Sequence, residues 1–175
     1  MNEGEMVTLF EGTAKTGKGR IIVGPAISLA EADEKRLPHG IVLVLVKNGE
    51  GSILLQRRSK NAKYYPLRFT LGASGRIQHG ETIEEAAKRE AREELGIELN
   101  EVKLLPISTE MIHLEAPQLK YFVVLATHNG GLTPSEREVH AEGTRFYTIG
   151  ELRAMLDKKE LFTPPVYQLL GRMLT

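Results

Sequence analysis

The sequence predicts an α/β fold of the α+β kind, in which a mixed β-sheet forms the centre of an α/β/α sandwich. Short apolar segments bounded by glycine, proline and asparagine recur along the chain, as expected of strands and turns. One long amphipathic pattern, residues 82–95, interrupts them, and two further helical patterns follow the last strand. One internal helix and a helical end are what a sheet covered on both faces requires.

Length and composition indicate a single folded domain. The 175 residues are enough for one substantial core, so residues 1–175 are expected to form one unit. The chain carries 23 basic and 23 acidic residues, and this balance argues against dedicated nucleic-acid binding. It contains no cysteine, which excludes disulfides, thiolate metal sites and cysteine nucleophiles.

Neither the N-terminal residues nor the apolar segments predict a membrane protein. The opening MNEGEMVTLF lacks the basic and apolar regions of a signal peptide. Long apolar runs such as Ile41–Val46 are far shorter than a membrane span. We therefore expect a cytoplasmic protein with no membrane partner.

Two hairpins are predicted in the first third of the chain. Met6–Phe10 and Arg20–Val23 are expected to pair as a β-hairpin, about residues 6–23, around GTAKTGKG. That turn nearly matches the phosphate-binding pattern G-x4-G-K-[ST], but Gly19 replaces the required hydroxyl and a strand follows. The second hairpin joins Gly40–Val46 to SILLQRRS across KNGEG. Gly40–Val46 is apolar on both faces, which is typical of a central strand.

The remaining elements are predicted from periodicity and from helix start signals. Further strands are expected at Phe69–Ser74, Val102–Ile112, Lys120–Thr127 and Thr144–Tyr147. Helices are expected from about Thr82 to Leu95, from Thr148 to Leu156, and over residues 164–174.

The internal helix carries acidic residues on the side that faces the core. Its apolar stripe consists of Ile83, Ala87, Ala91 and Leu95. On the same helical wheel Glu90 and Glu94 lie beside this stripe, and Glu93 lies just outside them. Glutamate-rich helices usually present a solvated face. Here the small alanines allow the helix to pack close to the sheet, which draws the three carboxylates inward.

Clustered, partly buried carboxylates require a positive counter-charge. Three oxygen ligands without histidine or cysteine suit a hard cation, Mg²⁺ or alternatively Mn²⁺. Since Mg²⁺ held by few carboxylates usually also engages phosphate oxygens, the pattern indicates a phosphorylated substrate.

Residues 75–97 follow a spaced pattern. Gly75 is followed after five residues by Glu81 and after seven more by Arg89 and Glu90. Glu93, Glu94, Gly96 and Ile97 complete it. This pattern resembles the Nudix box at every fixed position, although Ala91 stands where a larger aliphatic residue is commoner. The chain is therefore similar to Nudix hydrolases, and the resemblance implies the Nudix fold.

The resemblance also implies roles for the matching residues. Glu90, Glu93 and Glu94 are expected to bind the metal together with the backbone carbonyl of Gly75. Arg89 is expected to hold a glutamate by an ion pair. Glu81 would brace the loop and the helix, and Gly96 would end the helix. Arg89, Glu93 and Glu94 are accordingly predicted to be catalytic.

The general base and the substrate contacts are less determined by the sequence. Glu138, in the loop before the late strand, is the preferred base, with Glu110 and Glu142 as rivals. The preferred substrate-binding residues are Arg57, Arg58, Arg76 and Tyr65. Arg57 and Arg58 point to opposite sides of a strand, so at most one should face the site. Tyr65 could equally anchor its loop by packing.

The run LLQRRSKNAKYYPLRFTLGASGR, ahead of and into the box, resembles Nudix proteins related to isopentenyl diphosphate isomerase. That isomerase requires a cysteine immediately before the box glycine and a metal-binding histidine immediately after it. Here Ser74 and Arg76 occupy those positions, so the chain lacks the isomerase cysteine.

The sequence therefore predicts a Mg²⁺-dependent Nudix hydrolase that cleaves the diphosphate linkage of a small nucleoside diphosphate derivative or another organic pyrophosphate. One alternative is an isomerase-like enzyme. Another is a catalytically silent Nudix domain that senses a ligand or binds a protein, and a third is a purely structural domain. A homodimer is possible.

Overall fold

The computed structural model describes residues 4–107 and 118–175 of the chain. The described residues form the α-helices α1 (Leu29–Glu34), α2 (Ile83–Leu95), α3 (Ile149–Leu156) and α4 (Pro164–Leu174), and a 3-10 turn at Lys159–Leu161. The first strands are β1 (Met6–Thr8), β2 (Gly12–Thr16), β3 (Gly19–Val23), β4 (Ala26–Ser28), β5 (His39–Lys47) and β6 (Ile53–Arg58). The later strands are β7 (Phe69–Leu71), β8 (Ala73–Arg76), β9 (Val102–Leu104), β10 (Leu119–Thr127) and β11 (Val139–Tyr147).

The central sheet is mixed, as predicted. Its main path runs β11-β6-β5-β10-β9, while β7 pairs with β6 and β8 pairs with β5. Strand β10 is parallel to β5 along its whole length, from Leu119 opposite His39 to Thr127 opposite Lys47. The other pairings in this sheet are antiparallel.

Helices cover both faces of the sheet and confirm the predicted α/β/α sandwich. Strand β5 is apolar on both sides because Val42, Val44 and Val46 pack towards α2, whereas Leu43 and Leu45 pack towards α3 and α4. Each face therefore has its own apolar cluster, and burial of these side chains is the main driving force for assembly. Among the described residues no helix is long and apolar enough to cross a membrane.

The hairpin predicted around KNGEG is splayed. Strands β5 and β6 pair at Lys47 and Ile53, beside the turn. Beyond that point β8 pairs with β5 and β7 pairs with β6, so both short strands lie between the arms of the hairpin. The predicted strand Phe69–Ser74 is divided at Gly72, where a Cβ would contact Val46. The splayed region is where α2 meets the sheet.

The N-terminal hairpin differs from the prediction. Met6–Thr8 pairs with Ala26–Ser28, whereas the residues predicted as a turn supply one arm of the hairpin, Gly12–Thr16, opposite Gly19–Val23. The turn is tight because Gly19 adopts φ +140° and the Thr16 hydroxyl donates to its carbonyl. Arg20 donates its backbone N–H to Glu84 at 3.0 Å, which fixes the hairpin against the start of α2.

Two later strands have other bounds than those predicted. Strand β9 ends at Leu104, and the rest of Val102–Ile112 reaches into residues outside the described part of the chain. Thr144–Tyr147 forms the end of the longer strand β11, in which the register shifts between His140 and Arg145. Such a shift is the mark of a β-bulge.

Helix α2 begins and ends with specific caps. Thr82 and Glu85 form a reciprocal capping box at its start. Gly96 ends the helix in the left-handed conformation with φ +65°, and the N–H groups of Gly96 and Ile97 donate to the carbonyls of Arg92 and Ala91. These caps fix which residues of α2 face the sheet.

Replacing Gly96 by alanine should destabilise the fold. The new Cβ would lie 2.9 Å from the Thr133 side chain and would force alanine into the left-handed region. We expect a loss of about 1 to 2 kcal/mol in the free energy of unfolding, measured by urea denaturation. Gly131→Ala is the matched control, because a Cβ there meets nothing within 4 Å. Equal midpoints for both variants would contradict the assigned role of Gly96.

Candidate metal centre and active site

Arg89 is the centre of a charged network on α2. Its Nε and Nη2 donate to the two oxygens of Glu81 at 2.8 and 3.0 Å, a bidentate ion pair. Nη1 donates to Glu90 at 2.6 Å and to Glu93 at 3.3 Å. Nη2 also donates to the carbonyl of Arg76 at 2.8 Å. One guanidinium thus joins the helix, the loop before it and strand β8.

Glu81 connects this network to the loop that precedes α2. Besides Arg89, its Oε2 accepts the backbone N–H of Gln78 at 3.0 Å. The carboxylate therefore holds the loop closed against the helix. This geometry is the bracing contact that the box resemblance implies for Glu81.

The three clustered glutamates differ sharply in exposure. Glu90 and Glu94 are buried, at 9% and 7% exposure, whereas the Glu93 side chain is 58% exposed. Their positions follow the helical wheel, on which Glu90 and Glu94 lie beside the apolar stripe. Burial raises the pKa of Glu90, Arg89 opposes that rise, and the neighbouring Glu93 adds to it.

Glu94 is fixed by the two strands that enter the splayed hairpin. The backbone N–H of Ser74, on β8, donates to its Oε2 at 2.9 Å. Gln56 is fully buried on β6, and its side-chain amide faces two acceptors. With the amide nitrogen assigned to that side, it donates to the same Oε2 at 3.1 Å and to the Gly72 carbonyl at 2.8 Å. Burial and the nearby Glu90 raise the pKa of Glu94, and these two donors oppose the rise. With Oε2 held, the other oxygen, Oε1, is the one left to face a ligand.

The donor set fits a divalent cation. Glu90 and Glu94 are two buried carboxylates whose pKa is raised, first by burial and then by the neighbouring carboxylates. Gly75 lies directly against Glu90, since a Cβ at that position would collide with the Glu90 carboxyl group. In the described part of the chain no three such side chains already converge on one point, and Glu93 is turned towards Arg89. A cation at this position would draw on Glu90, Glu94, the Gly75 carbonyl and a rotated Glu93.

Of the two adjacent arginines on β6, Arg58 is the one near the carboxylates. Its charge acts to lower the pKa of Glu94. Its Nε donates to the Tyr64 carbonyl at 2.9 Å. Arg57 lies on the other side of the strand, where its Nε donates to the Leu67 carbonyl at 3.1 Å and its stem borders Gly143. Arg57 therefore contacts the loop, and its predicted contact with substrate stays a prediction.

Arg76 and Tyr65 occupy the opposite side of β8 from Glu90. The Arg76 guanidinium contacts both oxygens of Asp33 at 3.2 Å, so its charge is already balanced by α1. Tyr65 has φ +50°, an unusual backbone conformation for a tyrosine, and the Arg68 guanidinium lies 5.3 Å from its ring centroid. Tyr65 acts on the pKa of Tyr121, a buried neighbour on β10.

The predicted base, Glu138, lies in a turn attached to the end of α2. In that turn the N–H of Thr133 donates to the Leu95 carbonyl and the N–H of Ser135 donates to the Glu94 carbonyl, both at 2.8 Å. The Glu138 carboxylate is about half exposed and pairs with Arg137 at 3.2 Å. Its rival Glu142 is exposed in the irregular part of β11, and Glu110 lies outside the described residues.

Sequence reasoning missed Gln56 and Asp33. Gln56 is a single polar residue in the apolar strand segment ILLQ, and that position was the available signal. Asp33 lies on the short helix α1 and carried no signal, because its partner Arg76 is 43 residues away.

Comparisons with known proteins place these features in a family. The fold and the site together define a class of protein. It is an α/β/α sandwich in which helix α2 places buried carboxylates against the separated strands of the sheet. The model of the NUDIX domain family matches residues 37–170, and the chain belongs to this family.

Relatives and solved structures agree with this assignment. An uncharacterized Nudix hydrolase of Yersinia pestis is 43% identical over 63 residues, 36% of this chain and 35% of its own length. A Nudix hydrolase of Deinococcus radiodurans is 35% identical over 69 residues, 39% of this chain and 40% of its own length. The chain thus matches well under half of each relative. A solved structure from Deinococcus radiodurans has the same fold, with a TM-score of 0.73 at 22% identity, covering 96% of this chain and 98% of that one.

Removal of the Arg89 charge should destabilise the protein strongly. Arg89→Gln leaves the buried Glu90 and the bracing Glu81 without their counter-charge, so we expect a loss of about 3 kcal/mol in the free energy of unfolding. Arg92→Gln is the control on the same helix. It breaks an exposed pair with Glu98 and should leave the urea midpoint nearly unchanged. Urea denaturation of both variants measures the two changes in the free energy of unfolding. Similar losses in both variants would refute the role of Arg89 as the centre of the charged network.

Gln56 should matter for metal binding through Glu94. Gln56→Met keeps the side-chain volume but removes the donor to Oε2, so the Glu94 carboxylate loses its orientation. We expect Mn²⁺ affinity, measured by electron paramagnetic resonance of free Mn²⁺, to fall at least tenfold. Lys103→Met, on the exposed side of β9, is the control and should bind Mn²⁺ as the wild type does. An unchanged affinity in a folded Gln56→Met variant would show that Gln56 only fills space.

Proposed function

We propose that this chain is a Mg²⁺-dependent pyrophosphohydrolase that cleaves the diphosphate linkage of a small nucleoside diphosphate derivative or another organic pyrophosphate. The observation that carries the proposal is the buried pair Glu90 and Glu94 beside Gly75, two carboxylates whose pKa is raised by burial. A purely structural helix would gain nothing from burying two like charges together.

The residues of the site have separate roles in the proposed reaction. Glu90, Glu93, Glu94 and the Gly75 carbonyl would hold Mg²⁺. The bound ion would neutralise diphosphate oxygens and lower the pKa of a water molecule. Arg58, which lies within electrostatic reach of Glu94, would attract the anionic substrate to the open side of the site.

Hydrolysis transfers one proton and breaks one anhydride bond. The oxygen of water attacks a phosphorus atom, the bond from that phosphorus to the bridging oxygen breaks, and a carboxylate accepts the proton of the water. We propose Glu138 as that acceptor, because its turn is hydrogen-bonded to the Glu94 and Leu95 carbonyls. Arg89 is a positioning residue in this proposal, because it holds Glu90 in place.

Isomerase chemistry is not part of the proposal. Residue 76 is an arginine paired with Asp33, where the isomerase needs a metal-binding histidine, and residue 74 is a serine. A cytoplasmic location and a homodimer stay predictions from the sequence.

The proposal predicts metal-dependent hydrolysis of a diphosphate linkage. With Mg²⁺, the wild type should hydrolyse at least one member of a panel of nucleoside di- and triphosphates, dinucleotides, nucleotide sugars and prenyl diphosphates, and EDTA should abolish the reaction. Glu94→Gln should lower kcat by about 100-fold or more on that compound, because the carboxylate loses its charge. Glu101→Gln, an exposed residue outside the site, should leave kcat unchanged. Equal loss of substrate with wild type and Glu94→Gln for every compound, followed by chromatography, would refute the proposal.

A further inference from the structure

The N-terminal strand β1 lies against the loop that joins β8 to α2. Val7 pairs with Gln78 in an antiparallel bridge, and the backbone N–H of His79 donates to the Met6 carbonyl at 2.8 Å. A hydrogen bond of 2.9 Å joins the Thr8 hydroxyl to His79 Nδ1. Backbone and side-chain contacts therefore attach β1 to the middle of this loop.

The two partners of the side-chain bond differ in exposure. Thr8 is buried, at 3% exposure, next to the fully buried Val7, whereas His79 and Gly80 are exposed. Gly80 has φ +79°, a conformation that glycine adopts readily. The exposed turn of the loop is thus held by a buried strand and not by burial of its own side chains.

The same loop carries Glu81, the partner of Arg89. The Gln78 carbonyl accepts the N–H of Glu81 at 3.1 Å, and the Gln78 N–H donates to the Glu81 carboxylate at 3.0 Å. That carboxylate binds Arg89 with both oxygens, and Arg89 donates to Glu90. A continuous series of contacts therefore connects β1 to a carboxylate that is proposed to bind the metal.

Strand β3 holds the other end of the loop. Arg20 donates its backbone N–H to Glu84 at 3.0 Å, and Ile21 pairs with Thr82, the N-cap of α2. The start of α2 thus has its own attachment to the N-terminal hairpin. A change at Thr8 should consequently act on the loop and leave the helix in place.

We infer that Thr8 and His79 are positioning residues of the proposed metal site, which hold Glu81 against Arg89 before a cation binds. The inference rests on the proposed function, because it concerns the metal that hydrolysis requires. A loop that is already ordered loses little conformational freedom when a cation engages Glu90. Without the bond between Thr8 and His79, metal binding itself has to order the loop, and the affinity falls.

Metal binding and opening of the loop are measured without substrate. Mn²⁺ affinity is obtained from electron paramagnetic resonance of the free ion, and amide hydrogen exchange of the loop is followed in the metal-free protein. Thr8→Val keeps the shape of the side chain but removes the hydroxyl, and His79→Leu removes the ring nitrogen. The double variant Thr8→Val/His79→Leu completes the cycle.

Each single variant should bind Mn²⁺ about fivefold more weakly, which corresponds to one hydrogen bond. The double variant should bind no more weakly than either single variant, because both changes remove the same bond. The N–H groups of Gln78 and Glu81 should exchange faster in the metal-free variants, and bound Mn²⁺ should restore their protection. Thr8→Ser keeps the hydroxyl and should bind Mn²⁺ as the wild type does.

Thr13→Val is the matched control. It removes the same kind of hydroxyl, which at this position accepts from Arg20 Nη1 at 3.0 Å, between β2 and β3. Its Mn²⁺ affinity and the exchange of the Gln78 and Glu81 N–H groups should equal those of the wild type.

The outcomes separate this inference from the proposed hydrolysis. Weaker Mn²⁺ binding in both single variants, with recovery in Thr8→Ser, supports the positioning role, and it does so even when no compound is hydrolysed, which refutes the hydrolase alone. Metal-dependent hydrolysis with unchanged Mn²⁺ affinity in Thr8→Val and His79→Leu supports the hydrolase and overturns the positioning role. That role is also overturned when Thr13→Val loses the same affinity, when the effects of the two single variants add, or when the wild type binds no Mn²⁺.

Discussion

The charge balance around Arg89 is the constraint on which the site depends. Glu90 and Glu94 face the core because the alanines of α2 bring the helix against the sheet. Buried carboxylates tend to become neutral and to lose their affinity for cations. Arg89 opposes this for Glu90, and it also ties Glu81 and the Arg76 carbonyl to the same guanidinium. Helix α2 can therefore keep acidic side chains in a buried position, in a protein whose formal net charge is zero.

The sheet contributes as much as the helix. Beyond the turn β5 and β6 separate, and β8 and β7 lie between them. At this place the Ser74 N–H of β8 and the Gln56 side chain of β6 both donate to Glu94. The same separation places Arg58 where its charge acts on both faces of the sheet. A local irregularity in strand pairing thus produces a carboxylate that two donors hold in place.

Much of this arrangement could be predicted from the sequence because it depends on local periodicity. The inward position of Glu90 and Glu94 follows from the helical repeat, and the two-sided burial of Gly40–Val46 follows from its composition. The predicted pairing of Met6–Phe10 with Arg20–Val23 was wrong, since Met6–Thr8 pairs with Ala26–Ser28. Strands adjacent in the sequence usually pair, and no local residue pattern indicated otherwise. The contact between Asp33 and Arg76 depends on tertiary approach, which no pattern in one sequence encodes.

The N-terminal hairpin has an evolutionary consequence. Residues 6–28 precede the segment that matches the family model, 37–170, and yet they touch the box helix. Arg20 binds Glu84 at the start of α2, Ile22 belongs to the core against that helix, and Asp33, also outside the matched segment, holds Arg76. Mutations in this preceding segment can therefore shift α2 and the end of β8 without altering any residue of the box. The position of the box in this chain is thus set in part by residues that lie outside the segment shared with the family.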